Sequence, residues 1–420
     1  MMPNRPAGRF RLSGDGERGM NQDAATMASS DRLRQALLAY GLLWCLGLYL
    51  RLTVLVVPPL IPQLKAVLGF TGGEVAIATS LPLVTLAVGG LATGWLLARL
   101  GVRTCVLGGL AVMAIGSGLR SLPGAFVPFM LATLLMGAGI ALMQAAMPVL
   151  AKLWAPERIG RASAVYTNGL LVGELLAAGA TGPLVAAWLG AQWQWAFALW
   201  VAPVPLLMLA LVVGGRRLPA MTSGSRAAGL ILPDARDGRM WRLVALLGAA
   251  AALYFTGNVF LPPLLEESDR LALLAPSLTA LNGAQMLSSA LLILYADRLM
   301  GRPLPLIAIT ALALLALPLM LWLPGSGVVW AAGVFGFFTS ALFIFVLALP
   351  AWLVRLEALP RLMAGMLCFG YLLVFAITVV GGWLNDLSGT VALAFLPTLL
   401  ISLVAMASTR RLLASRQQET

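Results

Sequence analysis

Apolar residues in this chain neither alternate nor keep to one face of short helices; they run on. From about residue 36 to residue 409, stretches of some twenty residues carry almost no charge and are separated by short polar segments. Each is long enough to cross a ~30 Å hydrocarbon core as a helix. A helix satisfies its own backbone groups, as lipid requires. The alternating pattern of a membrane barrel is absent. Twelve helical spans are predicted by hydropathy, near 36–61, 74–98, 104–122, 125–151, 162–189, 195–214, 242–265, 271–295, 304–323, 327–353, 363–384 and 391–409.

Composition agrees with lipid as the solvent. Of 420 residues, 60% are hydrophobic and only 10% charged, and the mean hydropathy is +0.93. A soluble domain carries roughly 25% charged residues, so this chain lacks the charge to cover a water-facing surface. An even number of spans puts both termini on one side. Every Lys and Arg falls on that side except Lys65, Arg120 and Arg270 in the opposite connections and Arg51 inside the first span. The positive-inside rule makes the arginine-rich side cytoplasmic and accounts for the net charge of +12. A nucleic-acid binder is the competing reading of such a charge; it fails because the arginines are spread over many short loops. Residues 1–31, rich in Gly, Ser and Arg with no apolar centre, read as a disordered cytoplasmic tail and not as a cleavable signal peptide. Met20 and Met27 offer alternative starts, and residues 413–420 form a second cytoplasmic tail.

The absence of histidine excludes histidine chemistry and leaves any proton relay to carboxylates or tyrosines. Cys45, Cys105 and Cys368 all lie in apolar runs, where they read as small core residues, not as a disulfide frame or metal set. No cofactor and no metal are expected. Trp44, Trp188, Trp193, Trp195, Trp241 and Trp383 stand near span ends and fit an interfacial belt.

The polar stretch at 216–241 divides the spans six and six. The halves echo each other: VPPLIPQ at 57–63 and LPPLLEE at 261–267, WLLARLGVR at 95–103 and LYADRLMGR at 294–302, MPVLAKLW at 147–154 and LPAWLVRL at 349–356, each pair about 200 residues apart. Duplicated six-helix halves are a transporter signature, with substrate held between the halves near the midplane. The domain reading is therefore a bundle at 32–215, a cytoplasmic linker at 216–241 and a second bundle at 242–412.

GWLLARLGVR at 94–103 resembles the loop signature G-x-x-x-D-R-x-G-x-R of the major facilitator superfamily, with Ala98 in place of the acid. The second-half copy keeps Asp297 and Arg298 and has Ile293 for the glycine. ATGPLVAAWLG at 180–190 loosely resembles that superfamily's fifth-span motif. Along its membrane length the chain is similar to the cyanate and nitroimidazole transporter family. It carries PPLIP at 58–62 after Tyr49-Leu50-Arg51-Leu52, Gln144 to Pro148 in the fourth span and FLPPLLEE at 260–267. GYLL at 370–373 follows, then Gly382, Asp386 and Gly389. The departures from that family's pattern, Tyr49, Leu52, Gln144 and Leu367, fall at polar, pore-side candidate positions, so the resemblance speaks for the fold and leaves the substrate open. It implies an all-α membrane protein of twelve helices in two pseudo-symmetric six-helix bundles, with Gly94, Arg99, Arg103, Asp297 and Arg298 at a cytoplasmic gate.

The candidate chemistry begins with GLYLRLTVLVVPPL at 47–60. A centred arginine costs roughly 2.5–3.5 kcal/mol on insertion scales and cannot shed its charge. Arg51 lies about fourteen residues into its span, roughly 21 Å along a helix, too deep for easy snorkelling. It is expected to face protein or a water-filled cavity. Two uses compete: a fixed positive point for an anionic or strongly polar substrate, which the family's own arginine at this position supports, or a structural ion pair. Glu174 is the one carboxylate deep in a span. The first and fifth helices of this fold are neighbours, so Glu174 is an ion-pair or proton-coupling candidate for Arg51; its alternative is a fixed structural pair. Tyr254 and Asn258, four apart, and Asn282 and Gln285, three apart, each share a helical face. With Gln144, Tyr166 and Tyr371 they fill out the substrate-site candidates, Asn258, Asn282 and Gln285 ahead of the tyrosines; each taken alone reads as a helix-to-helix hydrogen bond.

The expected function is secondary transport of a small polar or anionic solute across a bacterial plasma membrane by alternating access, with protons as a candidate coupling ion. The protein is expected to be a monomer in the lipid bilayer, without nucleic-acid partners and without enzymatic activity. Export of small drug-like compounds is the alternative on the same fold. A sensor or membrane enzyme fits less well, because the spans offer one glutamate and no clustered acid, base or metal groups.

Overall fold

The computed structural model describes residues 33–122, 125–219, 233–299, 301–354 and 359–414. The tail at 1–31, residues 220–232 of the linker and the C-terminal tail from residue 415 lie outside them. Regular structure among the described residues is all helical. Helix α1 is Leu33–Tyr49. Then come α2 (Ile61–Leu68), α3 (Gly72–Leu119), α4 (Phe126–Trp154), α5 (Ile159–Leu184), α6 (Ala196–Val201) and α7 (Val204–Gly214). The second half holds α8 (Gly238–Glu267), α9 (Leu274–Leu299), α10 (Pro303–Trp322), α11 (Gly327–Leu353), α12 (Leu359–Ser388), α13 (Val391–Ala394) and α14 (Leu396–Ala414).

Nine stretches among the described residues are long and apolar enough to cross a membrane. One of them, Arg161–Arg217, contains two passes, α5 and the α6–α7 pair. The first pass, with α1, and the eighth, α9, complete the expected twelve.

The helices differ from the hydropathy pattern where proline intervenes. The first span is not continuous: regular helix stops at Tyr49, residues 50–57 form overlapping turns, and Pro58–Leu60 make a single 3-10 turn before α2. Pro58 and Pro59 carry no N–H and disfavour helix in the residues before them. The fifth span leaves α-helical geometry after Leu184, one residue past Pro183, and continues as a π turn at Val185–Leu189. Conversely, the second and third spans are joined in α3 with one interruption, Gly101 at φ 74° and ψ 158°, a conformation open to glycine and strained for other residues. Trp193 is buried, so it is a core residue and no part of an interfacial belt. Arg120, expected in a connection, is also buried, at 2% exposure.

Within each half the helices pack tightly on small residues. Gly137 and Gly139 meet the α3 side of the α3–α4 contact: a Cβ on Gly139 would fall on the Met113 amide, and one on Gly137 on the Thr85 hydroxyl. Across the halves, α3 packs on α12, α5 on α9 and α2 on α8. The α3–α12 contact sits at the end of the molecule remote from residues 33 and 414. There the Asp386 carboxylate accepts from the Gly72 and Gly73 amides at 2.6 and 2.7 Å, a charge seated on the first turn of α3. Lys65 and Glu266 pair at 3.3 Å nearby, between α2 and α8. Breaking the Asp386 contact is expected to loosen this end. In an Asp386→Ala background, a cysteine placed at buried Val75 should react with maleimide about tenfold faster than in the parent, the effect of losing roughly 1.4 kcal/mol of charge-assisted bonding.

Candidate functional site

The site is built by a close approach of α1 and α5. Gly169 and Gly173 stand four apart, on one face of α5. A Cβ on Gly169 would fall on the Trp44 carbonyl, one on Gly173 on the Leu48 carbonyl, and one on Gly47 on the Tyr166 carbonyl. Only hydrogen at these positions lets the backbones touch, the small-xxx-small arrangement of membrane helices. Trp44 Nε1 donates to Asn168 Oδ1 at 2.9 Å along the same seam. The next residue after Gly173 is Glu174, and three residues past Leu48 is Arg51. Helix contact thus delivers acid to base: Arg51 Nε lies 3.4 Å from Glu174 Oε1. The two residues are 6% and 4% exposed.

From Glu174 the polar chain crosses into the second half. Helix α5 meets α9 where Gly179 faces Thr279 and Gly283 faces Leu175. That places Gln285 Nε2 3.3 Å from Glu174 Oε2 and 3.2 Å from Asn282 Oδ1, donating to both. Tyr254 donates its hydroxyl to Asn282 Oδ1 at 2.8 Å. Asn282 Nδ2 donates to Asn258 Oδ1 at 2.9 Å and to the Leu278 carbonyl. Asn258 Nδ2 closes the chain on the Tyr254 carbonyl at 3.1 Å. One cation, one carboxylate, three amides and a phenol therefore form a continuous buried network joining the two halves. Buried polar groups tied this way are costly to leave half-paired.

Arg51, Glu174, Asn258, Asn282 and Gln285 all belong to this network. Tyr254 belongs too; its sequence signal is the four-residue spacing to Asn258. Tyr166 takes part through its backbone at the α1–α5 seam, and Tyr371 is buried on α12; neither joins the network's hydrogen bonds. Gln144 is half-buried on α4, and its Oε1 is buried without a hydrogen-bond partner. At the expected gate, Arg99 lies 4.7 Å from the centroid of the Trp95 ring. Neither Arg99 nor Arg103 is in the ion pairs among the described residues. The side chains of Asp297 and Arg298, and the surroundings of Gly94, lie outside the described residues.

The Arg51 ion pair engages Nε. Among the described residues the two Nη nitrogens take no hydrogen bond, and they are absent from the buried atoms that lack a partner. The ion pair thus leaves the Nη end of the fork without a hydrogen-bond partner among the described residues, and its geometry matches a planar oxyanion.

Twelve passes in two halves, joined by one buried polar chain, fit a multi-pass membrane transporter. The chain belongs to the Major Facilitator Superfamily, whose model matches residues 43–356. Among curated proteins it is 27% identical over 290 residues to the cyanate transport protein CynX of Escherichia coli (strain K12), covering 68% of this chain and 74% of that one. It is also 27% identical over 217 residues to the 2-nitroimidazole transporter of the same organism, covering 51% of this chain and 54% of that protein. Among solved structures it resembles a bacterial homolog of the human lysosomal transporter Spinster, inward-facing and occupied, with a TM-score of 0.63 and 14% identity over 91% of this chain and 94% of that one. A POT family transporter in complex with 5-aminolevulinic acid gives a TM-score of 0.68 and 13% identity over 89% and 96% of the two chains. At such identities the likeness concerns the fold.

Proposed function

We propose that this protein is a secondary transporter for a small anion or strongly polar solute, which binds between the two halves against Arg51. The observation that carries the reading is the unpartnered Nη end of a buried guanidinium whose one acid partner among the described residues, Glu174, is also held from the opposite half by Gln285. A bound anion competes with Glu174 for Arg51. Once Glu174 is released in a buried, low-dielectric site, a proton on it removes the charge that burial penalises. Anion and proton then share one site, and alternating access moves them together. Asn258, Asn282, Gln285 and Tyr254 supply neutral donors and acceptors that rearrange without adding charge. The similarity to the cyanate transport protein supports a linear or planar monoanion as cargo. The arginine-rich connections support a bacterial inner-membrane setting with both termini in the cytoplasm; two bundles at 32–215 and 242–412 and a monomeric working unit complete the proposal.

The test is uptake of labelled cyanate into proteoliposomes. An inward proton gradient should raise the initial rate in wild type, and Glu174→Gln should remove that dependence while leaving exchange without a gradient. Uptake indifferent to the gradient in wild type and unchanged by Glu174→Gln sinks the coupling reading. A second reading, export of small neutral heteroaromatic compounds, is supported by the equal identity to the 2-nitroimidazole transporter. It requires that Arg51→Ala leave transport of such a compound intact.

A further inference from the structure

Arg120 follows the last residue of α3 and is a buried cation without an acid. It takes part in none of the ion pairs among the described residues. Its guanidinium lies 4.4 Å from the centroid of Phe197 and 4.9 Å from that of Phe129, and these two rings meet edge to face at 5.6 Å. The rings come from α6 and α4, so the cation is held by the core of the first half, in the cation–π manner. From there Nη1 donates to the Thr53 carbonyl at 3.0 Å.

Thr53 is two residues past Arg51, in the turns at 50–57 that replace regular helix. Those turns are buried throughout. Their bonding is irregular: the Arg51 carbonyl accepts from both the Val54 and Leu55 amides, at 3.0 and 3.1 Å. Pro58 and Pro59 cannot donate back into the segment. A buried carbonyl without a donor is costly, and a charged donor is the strongest replacement available. Arg120 supplies it from 67 residues away in sequence.

We propose that Arg120 is a positioning residue for the Arg51 site. Clamped between two rings, it holds the Thr53 carbonyl and with it the turn geometry that aims Arg51 at Glu174. The inference rests on the reading of Arg51 as the cargo contact.

The experiment is amide hydrogen exchange over residues 50–57 in the solubilised full-length protein, combined with the Kd for cyanate as the probe anion. Arg120→Lys keeps a charged donor, Arg120→Gln keeps a neutral donor, and Arg120→Met fills volume with neither. Arg120→Met should raise exchange at 50–57 about tenfold and weaken cyanate by a similar factor, the size of one charge-assisted hydrogen bond. Exchange in α8 and α12 should not change. Arg120→Lys and Arg120→Gln should restore most of the protection and affinity, which a role in packing alone does not predict. Wild-type exchange at 50–57 in Arg120→Met overturns the proposal. If Arg120→Met does not fold, loss of protection at 50–57 in both Arg120→Lys and Arg120→Gln overturns it, and its retention in both supports it. If wild type binds no cyanate, the function reading fails while the exchange comparison still decides the positioning role.

Discussion

Arg51→Ala should both destabilise the protein and abolish anion transport, and the two losses should separate in a double variant. Removing one partner of a buried ion pair strands the other; the cost is about 3–5 kcal/mol. Here Glu174 would be stranded at 4% exposure with only neutral partners such as Gln285, at 3.3 Å. Unfolding of Arg51→Ala should therefore begin at markedly lower temperature than wild type. Arg51→Leu combined with Glu174→Leu removes both charges and fills the space. It should regain most of the stability, because replacing a buried pair by apolar groups is often neutral or favourable. Transport should stay absent, because the guanidinium fork is gone. A pair that serves structure alone predicts the opposite for transport: the double variant would move solute as well as wild type. Double-mutant analysis is the appropriate measurement, since residues in direct contact do not contribute additively.

Gly173→Val should damage the same site without touching either charge. A Cβ at Gly173 would fall on the Leu48 carbonyl, and a backbone atom cannot swing aside as a flexible side chain does. Helix α5 must move off α1, and the Arg51–Glu174 contact of 3.4 Å opens with it. Overpacking of a tight contact costs typically about 1–3 kcal/mol, so a fall in thermal stability should accompany the loss of transport. Gly173→Ala should give a smaller effect of the same kind. Gly41, also on α1, provides the control, because nothing lies within 4 Å of a Cβ there. Gly41→Ala should be neutral or stabilising by about 0.5–1 kcal/mol, the helix propensity gain over glycine. If Gly173→Val and Gly41→Ala behave alike, the α1–α5 seam does not set the site.

The fold was legible because lipid imposes a length and a composition on every pass, and those are read directly from hydropathy. The buried polar network proposed as the site was legible for a related reason. A polar side chain inside an apolar span must find a partner, so Arg51, Glu174, Asn258, Asn282 and Gln285 announced themselves by being there at all. The partners were less legible. Gln285 meets Glu174 because α5 and α9 cross at Gly179 and Gly283, a tertiary event with no local mark beyond small residues. The Gly169 and Gly173 spacing did carry such a mark and explains why Glu174 reaches Arg51. Hydropathy set Arg120 in the connection after α3, where it stands, but gave no sign of its burial. A window average sees the end of an apolar run followed by a basic residue and reads a loop; it cannot see Phe129 and Phe197 folding back over the cation. The turns at 50–57 were hidden for a similar cause, since Val, Leu and Thr are as apolar in turns as in helix, and only Pro58 and Pro59 hinted that the span would break.

The central claim is that the open end of the Arg51 guanidinium receives the cargo. Thermal unfolding of purified protein with and without cyanate, in wild type and in the Arg51→Leu, Glu174→Leu double variant, tests it most directly, because the double variant removes the fork without stranding a buried carboxylate. Cyanate should raise the unfolding temperature of wild type and leave that of the double variant unmoved. An equal shift in both, or none in either, would contradict the account.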